Sequence, residues 1–134
     1  SLSKHLTPFW YVIKKKPKAS KKFYKNSPMK RYGSVIRLRP EKKEEYIKLH
    51  ETVWPGVLKT IFDCNIRNYS IFYREGWLFS YFEYIGNDYE ADMKKMAADP
   101  VTQQWWKLCE PCQQPLESCQ NGEWWAEMEE VFHY

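Results

Sequence analysis

The residues of this chain best suited to chemistry gather around one histidine. His50 stands in EEYIKLHETVWPGV, residues 44–57, four positions after Tyr46. An imidazole that titrates near neutrality can give or take a proton at physiological pH. A phenol one helical turn away can orient a hydroxyl-bearing ligand beside it. On a helix turning about 100° per residue, His50 falls about 40° from Tyr46, and Val53 and Val57 within about 20°. One narrow stripe therefore carries a phenol, an imidazole and two valines, while Glu44, Lys48 and Glu51 lie off it. His50 points inward, toward whatever the helix packs on. Taken alone, an inward histidine is more often a core residue satisfied by one hydrogen bond than a catalyst. Its company favours chemistry. Tyr69 stands in NYSIFYR and two indoles adjoin at Trp105-Trp106. Adjacent indoles cannot both face one core, so one is expected to pack and the other to face a cavity. One imidazole, two phenols and indole faces, with few carboxylates, suit an uncharged polyol: sugar C–H faces stack on indole, and Tyr and His contact the hydroxyls.

The elements that must position these groups can be read from periodicity and turn chemistry. Tyr32–Arg39 alternates and is rich in β-branched residues, so it reads as a strand. Pro40 followed by Glu-Lys-Lys-Glu-Glu opens a helix expected to run from about Glu41 into the low sixties. Pro55 lacks a donor for the carbonyl of Glu51 and crowds that turn. It should kink the helix near Trp54-Pro55-Gly56 and open space just beyond His50. Asn68–Arg74 and Trp77–Ile85 read as strands joined at Glu75-Gly76 in a hairpin. Asp88–Ala98 is a second helix, and a helical piece from Asp99 to about Leu108 carries the two indoles. A loop rich in Cys, Pro, Gln and Gly follows, and Glu127–Tyr134 is a last short strand. The order β-α-β-β-α-β is the ferredoxin-like split motif, an α+β fold. Helices cover only one face of such a sheet. A second copy is the simple cover for the other, which predicts a homodimer with two sheets face to face, a dimeric α/β barrel.

Length and charge set the bounds. A chain of 134 residues is one domain's worth and buries a core without staples. Residues 1–28 carry eight lysines and no acid, whereas residues 29–134 carry thirteen basic and seventeen acidic side chains. The chain thus divides into a basic leader, 1–28, and a mildly acidic domain, 29–134. The leader reads first as an appended segment. An organelle-targeting segment and a basic arm for an acidic partner are the sharper alternatives. The acidic domain gives no hint of nucleic-acid binding, and no run of eighteen apolar residues is present for a membrane span. Four cysteines without a signal peptide suit reduced thiols and a cytoplasmic location. Cys109-x-x-Cys112 with Cys119 falls short of the paired motifs of structural zinc, so no metal is expected. His133 reads as a plain surface or sheet residue. Glu129 and Glu130 read as solvated, with one of them a candidate to face the pocket.

EEYIKLHETVWPGV, NYSIFY, DPVTQQWWK and EVFH together resemble the L-rhamnose mutarotases, over roughly Met29 to His133. Each piece is weak alone; the ordered set is specific. The resemblance implies a ferredoxin-like dimer that interconverts the α and β anomers of L-rhamnose. It makes His50 the catalytic proton donor, and Tyr46, Tyr69, Trp105 and Trp106 the sugar-contacting residues. Mutarotation opens the pyranose ring and recloses it on the other face of C1 without redox change, so no cofactor is expected. The chain departs from the bacterial pattern between Cys109 and Trp125, where the loop is Cys-rich and adds Trp124-Trp125. If that loop borders the pocket, L-fucose becomes the competing 6-deoxy sugar. Two other function classes stand beside this one: a haem-degrading monooxygenase on the same scaffold, and a non-enzymatic module binding nucleic acid through the leader.

Overall fold

A computed structural model describes residues 29–134; the readings of residues 1–28 lie outside the described residues. Strand β1 (Lys30–Leu38) pairs antiparallel with β3 (Trp77–Tyr84), setting Ser34 against Ser80 and Ile36 against Leu78. Strand β2 (Ile66–Arg74) pairs antiparallel with the far edge of β3. Two short strands, β4 (Gln113–Gln114) and β5 (Ala126–Met128), share the free edge of β1. The resulting order, β2-β3-β1 with β4 and β5 outermost, is that of the ferredoxin-like sheet.

Strict alternation makes one face of this sheet the core. Tyr32, Ser34, Ile36 and Leu38 of β1, and Leu78, Ser80, Phe82 and Tyr84 of β3, are all buried. The Ser34 and Ser80 hydroxyls hydrogen-bond to each other across the strands, so neither is an orphan in the apolar layer. The hairpin turn at Glu75-Gly76 has positive φ at both residues, 49° and 85°. That is the twist-matched two-residue turn, and Gly76 suits it. Strand β2 begins two residues earlier than expected and carries a bulge between Arg67 and Ser70, with Asn68 at φ 51°. Bulges re-aim side chains, and this one precedes Tyr69.

The expected kinked helix is two helices, α1 (Lys43–Glu51) and α2 (Pro55–Asp63), preceded by a 3-10 turn at Pro40–Lys42. Pro55 has gone beyond a kink. It forces Trp54 into an extended conformation, ψ 134°, and then serves as the first residue of a new helix. Helices α3 (Tyr89–Ala98) and α4 (Pro100–Cys109) start on Asp88 and Asp99, whose carboxylates accept the backbone N–H of Ala91 and Thr102. A second 3-10 turn, Glu110–Cys112, leads into β4. The last strand is shorter than expected. Only Ala126–Met128 pairs with β1, and residues 129–134 carry no strand. No helix among the described residues is long and apolar enough to cross a membrane.

Asp99 ties α2 to α4. One oxygen accepts from Thr102 N at 2.9 Å, Thr102 Oγ1 at 2.7 Å and Thr60 Oγ1 at 3.1 Å. These donors hold its carboxyl below the usual carboxylate range, Thr102 first. Asp99→Ala is therefore expected to cost about 1 kcal/mol, or roughly 5 °C in Tm by calorimetry. Because the folded pKa is depressed, this contribution is present above about pH 4 and fades as pH falls through the folded value. The variant's acid-side loss of stability should be correspondingly shallower.

Candidate active site

The break between α1 and α2 leaves Tyr46 and His50 on the last full turns of α1, facing the end of α4. Tyr46 is 4% exposed and His50 is half-buried. The Nδ1 of His50 lies 2.8 Å from the main-chain oxygen of Tyr46. A carbonyl oxygen only accepts, so Nδ1 carries the proton and the neutral ring keeps its lone pair on Nε2. The rings of Tyr46 and His50 lie 4.3 Å apart between centroids, tilted by 34°. The Trp105 indole meets the imidazole edge-on at 5.3 Å, and Trp54 meets Trp105 in the same manner, also at 5.3 Å. Burial lowers the pKa of His50, with the bond to Tyr46 opposing in part, so the imidazole is neutral at pH 7.

All five residues singled out from the sequence line one cavity: Tyr46 and His50 from α1, Tyr69 from β2, and Trp105 and Trp106 from α4. The two indoles do not divide the roles as expected. Trp105 is buried against His50 and still borders the cavity, and half-buried Trp106 borders it too, because the cavity wraps around the end of α4. Desolvation pushes both phenols, Tyr46 and Tyr69, far above their ordinary range, so both stay protonated and able to donate. An apolar extension continues the cavity between α1, α2 and the sheet, past Ile47, Val53, Leu58 and Ile61.

The sequence reading missed Glu110 and Gln113, which line the same cavity. Gln113 Nε2 donates to the Tyr46 hydroxyl at 3.2 Å, and its Oε1 accepts from Trp124 Nε1 at 2.8 Å. The Cys-rich loop thus does border the pocket, through Gln113, Trp124 and Trp125. Gln113 lies in a two-residue bridge without periodicity, and only a search for amides beside buried phenols could have found it. Glu110 ends α4, and burial raises its carboxyl to about 7.

The remaining candidates lie elsewhere. Glu129, Glu130 and His133 border a separate groove with Arg31 and Tyr81, and Glu130 pairs with Arg31 at 2.9 Å. Neither glutamate faces the His50 cavity, because β5 ends at Met128 on the outer edge of the sheet. The four cysteines are free thiols. Cys109 borders the cavity, but burial pushes its thiol up to about 12, away from nucleophilic use.

The fold and this cavity define an α+β protein of the ferredoxin-like type with a histidine, phenols and indoles around one pocket. The L-rhamnose mutarotase family model matches residues 31–134. The chain is 32% identical over 107 residues to an L-rhamnose mutarotase of Oceanobacillus iheyensis, covering 78% of this chain and 98% of that protein. It is 33% identical, with the same coverage, to one from Lactiplantibacillus plantarum. Among solved structures, an L-rhamnose mutarotase from Formosa agariphila superposes with a TM-score of 0.62 at 23% identity, covering 78% of this chain and 98% of that one. A tetracenomycin F2 cyclase from Streptomyces glaucescens shares the fold at a TM-score of 0.54 and 14% identity. The chain belongs to the L-rhamnose mutarotase family.

Replacing Gln113 by Leu removes a partner from the buried Tyr46 hydroxyl and from the Trp124 indole N–H. The expected loss is about 1–3 kcal/mol, read from urea unfolding. An unchanged unfolding midpoint would show that the Trp124–Gln113–Tyr46 chain contributes nothing to the wall of the site.

Proposed function

We propose that this protein interconverts the α and β anomers of L-rhamnose by acid/base-assisted ring opening. The observation that carries the reading is the bond from His50 Nδ1 to the Tyr46 carbonyl, which leaves Nε2 as a base beside indole and phenol walls. An aldose mutarotase must take the proton of the anomeric hydroxyl while the ring oxygen receives one, and must reverse both transfers on closure. Neutral His50 takes the first proton during opening. The resulting imidazolium returns it to the C1 oxygen during closure. His50 is therefore a proton donor only in the closing half of the reaction; the expectation that protonated His50 gives its proton to the ring oxygen does not suit a ring whose burial favours the neutral form. Tyr46 and Tyr69 hold sugar hydroxyls as donors. Trp105 and Trp106 pack against the sugar's C–H faces, and the apolar extension receives the C6 methyl of a 6-deoxy sugar.

The enzyme works as a homodimer in the cytoplasm. The sheet face away from the helices carries Val35, Trp77, Phe79 and Tyr81, none of them buried, and Phe72, which is 62% exposed. A second copy of the same face would cover this aromatic surface. Family membership favours this reading over haem degradation and over nucleic-acid binding. L-Fucose is the second reading, favoured by the wall that Gln113, Trp124 and Trp125 contribute from the divergent loop.

The test is anomer exchange followed by selective-inversion NMR, with L-rhamnose and L-fucose and a protein-free blank. Wild type should exchange rhamnose anomers above the blank, and His50→Ala should lose about 10²- to 10⁴-fold. Because burial lowers the pKa of His50, the acid-side fall of kcat/KM should lie below the ordinary histidine value of 6.5. Faster exchange of fucose than of rhamnose would reassign the substrate. No exchange of either would return His50 to a core role.

A further inference from the structure

Ring opening needs an acid as well as a base, and His50 can be only one of them at a time. Glu110 borders the part of the cavity lined by His50, Tyr46, Tyr69 and Gln113, whereas Glu51, which borders the apolar extension, is exposed. Among the described residues its carboxylate takes part in no ion pair and no hydrogen bond, unlike Asp92 and Asp99, which are tied into the fold. It also caps the C-terminal end of α4, its own N–H bonding to the carbonyl of Trp106. The carbonyl end of a helix disfavours a negative charge. A half-buried carboxyl with no cationic partner, set at that end, is built to hold a proton.

We propose that Glu110 is the second proton-transfer group of this site, the acid that protonates the ring oxygen while His50 takes the anomeric proton. The assignment rests on the mutarotase reading above. As the bond between C1 and the ring oxygen breaks, the Glu110 carboxyl gives its proton to that oxygen. Nε2 of His50 takes the proton of the C1 hydroxyl, and C1 becomes an aldehyde. The products are the open-chain sugar, a carboxylate and an imidazolium. After rotation about C1–C2 the C5 hydroxyl adds to the other face of C1. Its proton goes to the Glu110 carboxylate, and the imidazolium returns its proton to the aldehyde oxygen. Both groups end as they began.

The electrostatics of the surroundings agree. Desolvation alone raises the Glu110 carboxyl to about 7, whereas His50 is lowered by its own burial. The pair is thus poised as neutral acid and neutral base near pH 7. The titratable groups around it are Tyr46 and His50 on α1, Tyr69 on β2, and Cys109 and Cys112 on its own segment, and none of these is charged at that pH. Lys42 and Glu45, which stand near Cys112, are paired with each other at 2.9 Å.

The experiment compares wild type, Glu110→Gln and Glu110→Asp by anomer-exchange NMR from about pH 5 to about pH 9, with KM and kcat separated. Wild-type kcat should decline on the alkaline side around pH 7 as Glu110 loses its proton. Glu110→Gln should lose at least about tenfold in kcat, keep KM within about threefold and lose the alkaline limb, and Glu110→Asp should restore part of both. In parallel, wild type labelled at the glutamate carboxyl carbons should show one carboxyl titrating near neutrality, a readout independent of any variant's folding. Wild-type exchange with an unchanged profile in Glu110→Gln would overturn the assignment alone, as would glutamates that all titrate in the ordinary range. No exchange by wild type would overturn the mutarotase reading and this assignment with it.

Discussion

The hydrogen bond between His50 Nδ1 and the carbonyl of Tyr46 is the constraint on which the site depends. It spends one ring nitrogen on the backbone of the same helix, so tautomer and orientation are set before any ligand arrives. It reaches only one turn back, so it needs no partner from another element and survives adjustment of the surrounding walls. The same helix turn brings the Tyr46 ring against the imidazole, and Tyr46 is in turn held by Gln113. The imidazole is thus preorganised by α1, and α4 and the loop after it shape the space in front of it.

Pro55 supplies the space. Had α1 continued, its next turn would have filled the region beyond His50. The residue before a proline avoids helical geometry, so Trp54 turns outward and its ring comes to rest on Trp105. Helix α2 then restarts at a new angle, anchored to α4 through Thr60 and Asp99. The apolar floor between α1 and α2 and the polar mouth at Glu110 and Gln113 are two parts of one opening created by that break. Its lining runs from the apolar Val53, Val57, Leu58 and Ile61 to the polar Glu110 and Gln113.

Much of this was legible in the sequence because local rules and global fold agree. Alternation in Tyr32–Arg39, Glu75-Gly76 at a tight turn, and aspartates at positions 88 and 99 are short-range signals that survive any tertiary context. The wheel on which Tyr46 and His50 share a stripe needs only helix geometry. Glu110, Gln113 and the bridge β4 were not legible. Gln113 gains its role only when the chain passes back along Leu38 at the edge of β1 and beneath Tyr46, a juxtaposition no periodicity encodes. Glu110 carries no sequence signal of its own at the head of a polar loop; its partnerless burial exists only once α1 and β2 close over the end of α4. The extent of the last strand failed for a similar reason. The apolar residues of Val131–Tyr134 satisfy strand propensity, but the pairing with β1 stops at Met128 although β1 itself continues to Lys30.

The central claim is that His50 stands neutral at pH 7, protonated on Nδ1 and open at Nε2. Long-range proton–nitrogen correlation NMR on the uniformly nitrogen-15-labelled protein reads both ring nitrogens directly. The account predicts a pyrrole-type Nδ1 and a pyridine-type Nε2 for His50 at pH 7, both becoming pyrrole-like only on acidification below the ordinary histidine range. An imidazolium at pH 7, or a neutral ring protonated on Nε2, would contradict it.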